Sequence, residues 1–171
     1  MKTSLAALCA IALLVPAYAA SAKSTDRNQP MTIDAGSQSG TLTGDGKTVL
    51  SGDVVITQGT LDLRAAQADL HIRDGEAVRA VFTGKQAKMK QQMDDGSWMD
   101  ASADTIDYDI STEIITLTGN YKVTSARGTN AGQRMVYNTR TGEMNSGGDG
   151  SRVRTVIQPK NKAPAAQGSG R

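Results

Sequence analysis

Along most of the chain, apolar and polar residues alternate one by one. The alternation restarts after short breaks rich in Gly, Asp, Asn, Ser and Thr. A period of two puts successive side chains on opposite faces of an extended strand. The pattern predicts a short strand at Met31-Thr32-Ile33-Asp34, a weak one at 39–43 and a strong one at 47–58. The Gly-rich stretch 36–46 predicts that these early strands are short. Leu61, Leu63, Ala66, Ala68, Leu70 and Ile72 then alternate with polar residues. The slip near Arg64-Ala65 predicts two strands, or one bent by a bulge. Asp74-Gly75 is a hairpin signal. Further strands are expected at 76–83, 85–93, 98–108 (as two short pieces), 113–118, 121–125, 131–138 and 151–158. No window carries a convincing helical period. The alanines between Leu61 and Leu70 fit a period of two better, bracketed by Gly59, Thr60 and Gly75. Many short strands separated by regular turn signals predict an all-β sandwich or barrel.

One phrase occurs twice. Leu50-Ser51-Gly52-Asp53-Val54-Val55-Ile56-Thr57 returns as Leu117-Thr118-Gly119-Asn120-Tyr121-Lys122-Val123-Thr124. Leu42-Thr43-Gly44 and Phe82-Thr83-Gly84 echo its opening. Each copy reads as a tight turn at Gly that becomes a β-branched strand. Gly52, Gly84 and Gly119 are spaced by 32 and 35 residues, which predicts three or four strands per unit. A turn-strand unit cannot bury its own apolar face, so repetition predicts stacking. Leu70-His71-Ile72, Ile106-Asp107-Tyr108 and Met135-Val136-Tyr137 each aim two apolar residues at one face.

The first residues read differently. Lys2, an apolar run at 5–15, Pro16 and Ala17-Tyr18-Ala19 form a secretory signal peptide, 1–19, with Ala22 as a second cleavage position. The run is too short to span a bilayer, and no later stretch is long enough. Cys9, the one cysteine, leaves with the signal, so the exported protein has no disulfide and relies on sheet hydrogen bonds and burial. Residues 20–28 read as a polar, mobile segment. Residues 159–171 read as a disordered basic tail. Net charge is only +2 among 171 residues, which leaves no nucleic-acid footprint. Aromatics are 4% of the chain, so Val, Ile, Leu, Met and Ala must fill the interior. Such a core packs adaptably.

No catalytic constellation is present. His71, the one histidine, sits between Leu70 and Ile72 on the opposite face, and no Ser-His-Asp set or zinc set can be assembled from it. Gly44-Asp45-Gly46-Lys47-Thr48 ends like a phosphate loop, but Thr41 stands where the first Gly belongs. We therefore expect no enzyme activity, no cofactor and no metal. A secreted sheet with an adaptable aliphatic interior suggests lipid handling or assembly through its edges.

Gln29-Pro30-Met31-Thr32-Ile33, Leu50 to Gly59 and Leu117-Thr118-Gly119-Asn120, from about residue 29 to 158, resemble the LptA (OstA-like) family of periplasmic lipopolysaccharide-transport proteins of Gram-negative bacteria. The resemblance implies a twisted, V-shaped β-jelly roll of about sixteen antiparallel strands, open at both ends and stacking head to tail. It implies lipopolysaccharide as ligand. It also implies LptC of the inner-membrane complex as partner at the N-terminal end, and the LptD N-terminal domain at the C-terminal end. The family's lipid contacts match Met31 and Ile33, then Met89, then Tyr108 and Ile110. Val54, Ile56, Leu70, Ile72 and Ile106 complete the expected groove together with Leu117, Met135 and Tyr137. The alternative is a self-assembling periplasmic scaffold that binds no lipid.

Overall fold

The protein is described by a computed structural model covering residues 22–41, 43–148 and 150–159. The signal peptide expected at 1–19 lies outside the described residues, as do positions 20 and 21 and all of the expected tail except Pro159. Among the described residues the alternation becomes ten antiparallel strands. They are β1 (Met31–Asp34), β2 (Ser37–Gly40), β3 (Gly46–Gln58), β4 (Leu61–Arg73), β5 (Glu76–Gln92), β6 (Trp98–Asp109), β7 (Ile114–Ser125), β8 (Gly128–Asn138), β9 (Met144–Ser146) and β10 (Arg154–Ile157). Their order is β1-β3-β4-β5-β6-β7-β8-β10, with β2 also on β3 and β9 also on β8. From β2 to β9, neighbours in sequence pair because two- to five-residue turns close antiparallel hairpins at little entropic cost.

β3 to β8 are each interrupted near the middle. The register slips between Ser51 and Val54, between Arg64 and Gln67, between Thr83 and Ala87, between Ser102 and Thr105, and between Thr118 and Tyr121, where β8 skips Gln133. The interruptions line up into one crease across the sheet, which folds it into two arms. The first arm holds residues 54–58, 61–65, 87–92, 98–102, 121–125 and 128–132, with β1 and β10 at its edges. The second holds 46–51, 67–73, 76–83, 105–109, 114–118 and 134–138, with β2 and β9 at its edges. Each arm thus has eight strand segments, and the sixteen expected strands are these halves. At about 4.8 Å between strands, each arm is roughly 34 Å long.

The repeated phrase is what makes the crease. Gly52 and Asp53 have φ of 78° and 51°, and Gly119 and Asn120 have 77° and 46°. Two consecutive left-handed residues insert extra length into one strand, which redirects the chain without reversing it. The expectation of a turn that starts a strand is corrected here: each copy is a bulge inside a continuous strand. Asn120 Nδ2 donates to Asp104 Oδ2 at 3.0 Å, and Gln133 Nε2 donates to Asn120 Oδ1 at 3.2 Å, stitching β6, β7 and β8 along the crease. A Cβ on Gly119 would collide with the Asp104 carboxylate.

Three strands differ from the sequence reading by more than one residue at a boundary. β2 occupies Ser37–Gly40 rather than 39–43. β8 begins at Gly128, because β10 lies alongside it from that residue onward. The last strand is Arg154–Ile157 rather than 151–158. β9 was not expected, since Met144-Asn145-Ser146 is short and shows no alternation.

The stretch 22–29 carries a 3-10 turn at Ser24–Asn28 with specific partners. The Asp26 carboxylate accepts from Thr60 Oγ at 2.5 Å. The Lys23 N–H donates to Gln92 O at 3.0 Å, on the rim of the first arm. The Ala22 N–H donates to Thr139 O at 3.3 Å, on the rim of the second. Ala22 is buried and bridges Met93. The segment therefore runs along the open side of the V as a strap and touches both rims.

Candidate functional site: an apolar groove between two arms

The inward-facing side chains form files running across the strands, two from β3 to β8 and one from β1 to β7. In the second arm one file reads Leu50, Ala68, Phe82, Ile106, Leu117, Met135. The next reads Thr48, Leu70, Ala80, Tyr108, Ile115, Tyr137. In the first arm a third reads Ile33, Ile56, Leu63, Met89, Ala101, Val123. All but Thr48 belong to, or pack on, one continuous hydrophobic cluster that joins both arms. Files arise because antiparallel register places an inward residue opposite an inward residue on every neighbour. The crease preserves this, since each strand shifts there together with its neighbours.

Apart from Asp26, no charged residue is buried among the described residues. Among the described residues the buried polar side chains are Asp26, Thr48, Gln91 and Thr139, and Asp26 belongs to the strap. The Thr48 hydroxyl donates to the Thr41 carbonyl, and the Thr139 hydroxyl donates to Glu113 O at 3.2 Å. Burial pushes the Tyr137 phenol up to about 12, so it stays neutral at any physiological pH. Charges are held outside. Arg64 pairs with Asp62 at 2.8 Å, Lys47 with Asp69 at 3.0 Å and Arg79 with Asp107 at 2.5 Å. The Arg64 guanidinium holds the Asp62 carboxyl below the usual carboxylate range, and Lys47 does the same for Asp69. These pairs are solvent-exposed and stabilise little. Lys88 and Lys90 project from the outer face, where Lys90 Nζ lies 4.9 Å from the centre of the Trp98 ring. Neither faces the groove.

Every residue expected to line the groove lies in that one cluster or packs against it. Val54, Ile56, Leu70, Ile72, Met89, Ile106, Tyr108, Leu117, Met135 and Tyr137 are buried in it. Met31, Ile33 and Ile110 are partly buried against it. Ile110 sits just beyond β6, its N–H donating to Val78 O at 3.0 Å. His71 is on the opposite face from Leu70 and Ile72. No three His, Cys, Asp or Glu residues are placed to hold a metal ion among the described residues.

Two features escaped the sequence reading. One is the C-terminal mouth, a cavity of about 470 Å³ lined by Met93, Met99, Val123, Met144, Val156 and Ile157 among others. Its wall combines the first arm with β9 and β10, so only tertiary structure assembles it. Ile157 there is 80% exposed. The other is Gln91, which faces inward between Met89 and Met93. The alternation contained that signal, masked by the polar residue type.

Comparison with known proteins agrees with this geometry. The family described as "LptA/(LptD N-terminal domain) LPS transport protein" matches residues 32–143. The lipopolysaccharide export system protein LptA of Escherichia coli K12 is 30% identical over 161 residues, covering 92% of this chain and 86% of that one. The lipopolysaccharide export system protein LptH of Pseudomonas aeruginosa is 32% identical over 149 residues, covering 81% and 85%. The crystal structure of LptH, described as the LptA-homologous periplasmic component of a lipopolysaccharide transport device, superposes with a TM-score of 0.70 at 29% identity. It covers 79% of this chain and 99% of that one. The β-jelly roll is common to both. The chain belongs to the LptA/LptD N-terminal domain family of lipopolysaccharide-transport proteins.

Proposed function

We propose that the protein is a non-enzymatic periplasmic carrier that passes the acyl chains of lipopolysaccharide along the groove between its arms. The supporting observation is the set of uncharged, almost wholly apolar files that cross the sheet from β3 to β7. Each buried methylene contributes roughly 0.8 kcal/mol, so a multi-chain lipid is strongly held out of water. Near-uniform files let it move without a deep local well. Copies stack head to tail, the β1/β2 end of one on the β9/β10 end of the next. LptC takes the N-terminal end and the LptD N-terminal domain the C-terminal end. The chain thereby bridges the inner and outer membranes.

The test is site-specific crosslinking. A photo-reactive residue at Ile33, Met89, Tyr108 or Ile110 is expected to capture lipopolysaccharide, while one at His71 captures none. Equal capture at His71 would overturn the assignment of faces. No capture at any of the four would overturn the lipid reading.

Export follows from the signal peptide, and Ala22 favours one cleavage position. Its burial and its hydrogen bond to Thr139 give it a place in the folded protein. Cleavage after Ala19 keeps that residue. Mass spectrometry of protein from the periplasmic fraction should find Ala20 as the first residue. A chain beginning at Lys23 would show that the strap forms without Ala22, and one beginning at Met1 would contradict export.

A further inference from the structure

Among the described residues, the buried side chains of Asp26, Thr48 and Thr139 have hydrogen-bond partners. Gln91 is 5% exposed, and its Oε1 has no partner among the described residues. An unpaired buried acceptor weakens a fold, and an apolar side chain of the same volume costs nothing of the kind. Its position is specific. Gln91 pairs across the sheet with Met99, and it follows Ala87 and Met89 on the inward face of β5. It is two residues short of Met93, which the strap bridges at the rim. Four residues of strand separate it from Ala87 at the crease, roughly 13 Å of depth. An amphiphile with chains against the crease and its head outside the V brings the polar ends of those chains to the depth of Gln91.

We infer that Gln91 is a specificity-determining residue of the groove, its Oε1 accepting a hydrogen bond from a donor at the polar end of an acyl chain. The donor is an amide N–H or a chain hydroxyl; an ester linkage between unsubstituted chains offers neither. The inference rests on the reading of the groove as a lipid path. The bond forms where water is excluded, so losing it leaves the ligand's donor unpaired as well, and discrimination is correspondingly sharp.

The experiment uses the mature protein and Gln91→Met, which keeps volume and an unbranched side chain. Binding is measured to lipopolysaccharide and to three synthetic glycolipids of equal chain length: amide-linked, ester-linked, and ester-linked with a hydroxyl on each chain. The wild type is expected to prefer one donor-bearing glycolipid over the plain ester by roughly three- to tenfold. Gln91→Met should abolish that preference, keep its affinity for the plain ester and melt at a higher temperature. Preference for the amide identifies the N–H as the donor, and preference for the hydroxylated ester identifies the hydroxyl. An unchanged preference in Gln91→Met, or no preference in the wild type, overturns the inference while leaving the groove a lipid site. If neither protein binds lipopolysaccharide, the carrier reading fails and the inference fails with it.

Discussion

Phe82→Ala is expected to lower the free energy of unfolding by about 3–5 kcal/mol. Phe82 is fully buried in the middle of its file, between Ala68 on β4 and Ile106 on β6. Its ring stands opposite the small Ala68 across the β4–β5 pair. After truncation two alanines stand side by side across β4 and β5. Hydrogen-bonded strands on both sides keep the backbone from closing the gap, so the cavity term persists. A domain of this size has roughly 5–15 kcal/mol of stability in total, and the variant loses a large share of it. Phe82→Leu keeps most of the volume and should cost less than about 1.5 kcal/mol. Trp98→Ala, at a 44% exposed position, should lie nearer zero. Urea unfolding followed by far-ultraviolet circular dichroism distinguishes the three. A loss below about 1 kcal/mol for Phe82→Ala would mean that the arms close onto the gap. The groove walls would then be far softer than the continuous cluster implies.

The interior was legible because its signal is local. Leu70 and Ile72, Ile106 and Tyr108, and Met135 and Tyr137 differ from their neighbours in polarity at a period of two, and antiparallel pairing turns that into aligned files. The crease was half legible. The repetition of Leu-Ser/Thr-Gly-Asp/Asn announced a structural device at Gly52 and Gly119. Whether two left-handed residues reverse a strand or bend it depends on what the next residues pair with. Val54 goes on to pair with β4 and Tyr121 with β8, the same partners as before the break. That is tertiary information. The strap and β9 were not legible at all. The strap is held by main-chain groups of Ala22 and Lys23 and by Asp26 under Gly59, and none of these forms a pattern along the chain. β9 is three exposed residues that become a strand because β8 offers Met135 and Tyr137 as partners.

The two ends of the groove are built differently. At the N-terminal end, β1 buries Met31 and Ile33 partly against the cluster and is tied to the strap through Gln58 Nε2, which donates to Gln29 O at 3.1 Å. At the C-terminal end, all four residues of β10 are exposed and, among the described residues, only β8 pairs with it. The N-terminal edge is therefore fixed in place, while the C-terminal edge contributes little core. A contact between unlike ends is heterologous and can continue into a filament.

Truncation after Gly150 is accordingly expected to abolish self-association and leave the jelly roll folded. The deletion removes β10 and uncovers the edge of β8 at 128–131 in the first arm. It leaves β9 in place on the second arm and every member of the buried cluster intact. Exposed Val156 and Ile157 go with it, and with them part of the apolar wall of the C-terminal mouth. The newly exposed edge of β8 offers unpaired backbone groups, as any edge does. Its residues Gly128, Thr129, Asn130 and Ala131 provide almost no apolar surface with which to hold a second chain. In the full chain, Val156 and Ile157 supply that surface beside the unpaired groups of β10. Light scattering over a concentration series should find the truncated protein monomeric where the full mature chain grows with concentration. Far-ultraviolet circular dichroism should find the two alike in strand content. Lipopolysaccharide binding should persist, since the three files end on β7 and β8. Oligomers that survive the truncation would place the joining edge elsewhere. Outright unfolding would mean that β10 holds the first arm together, and that scaffold and contact are not separable in this fold.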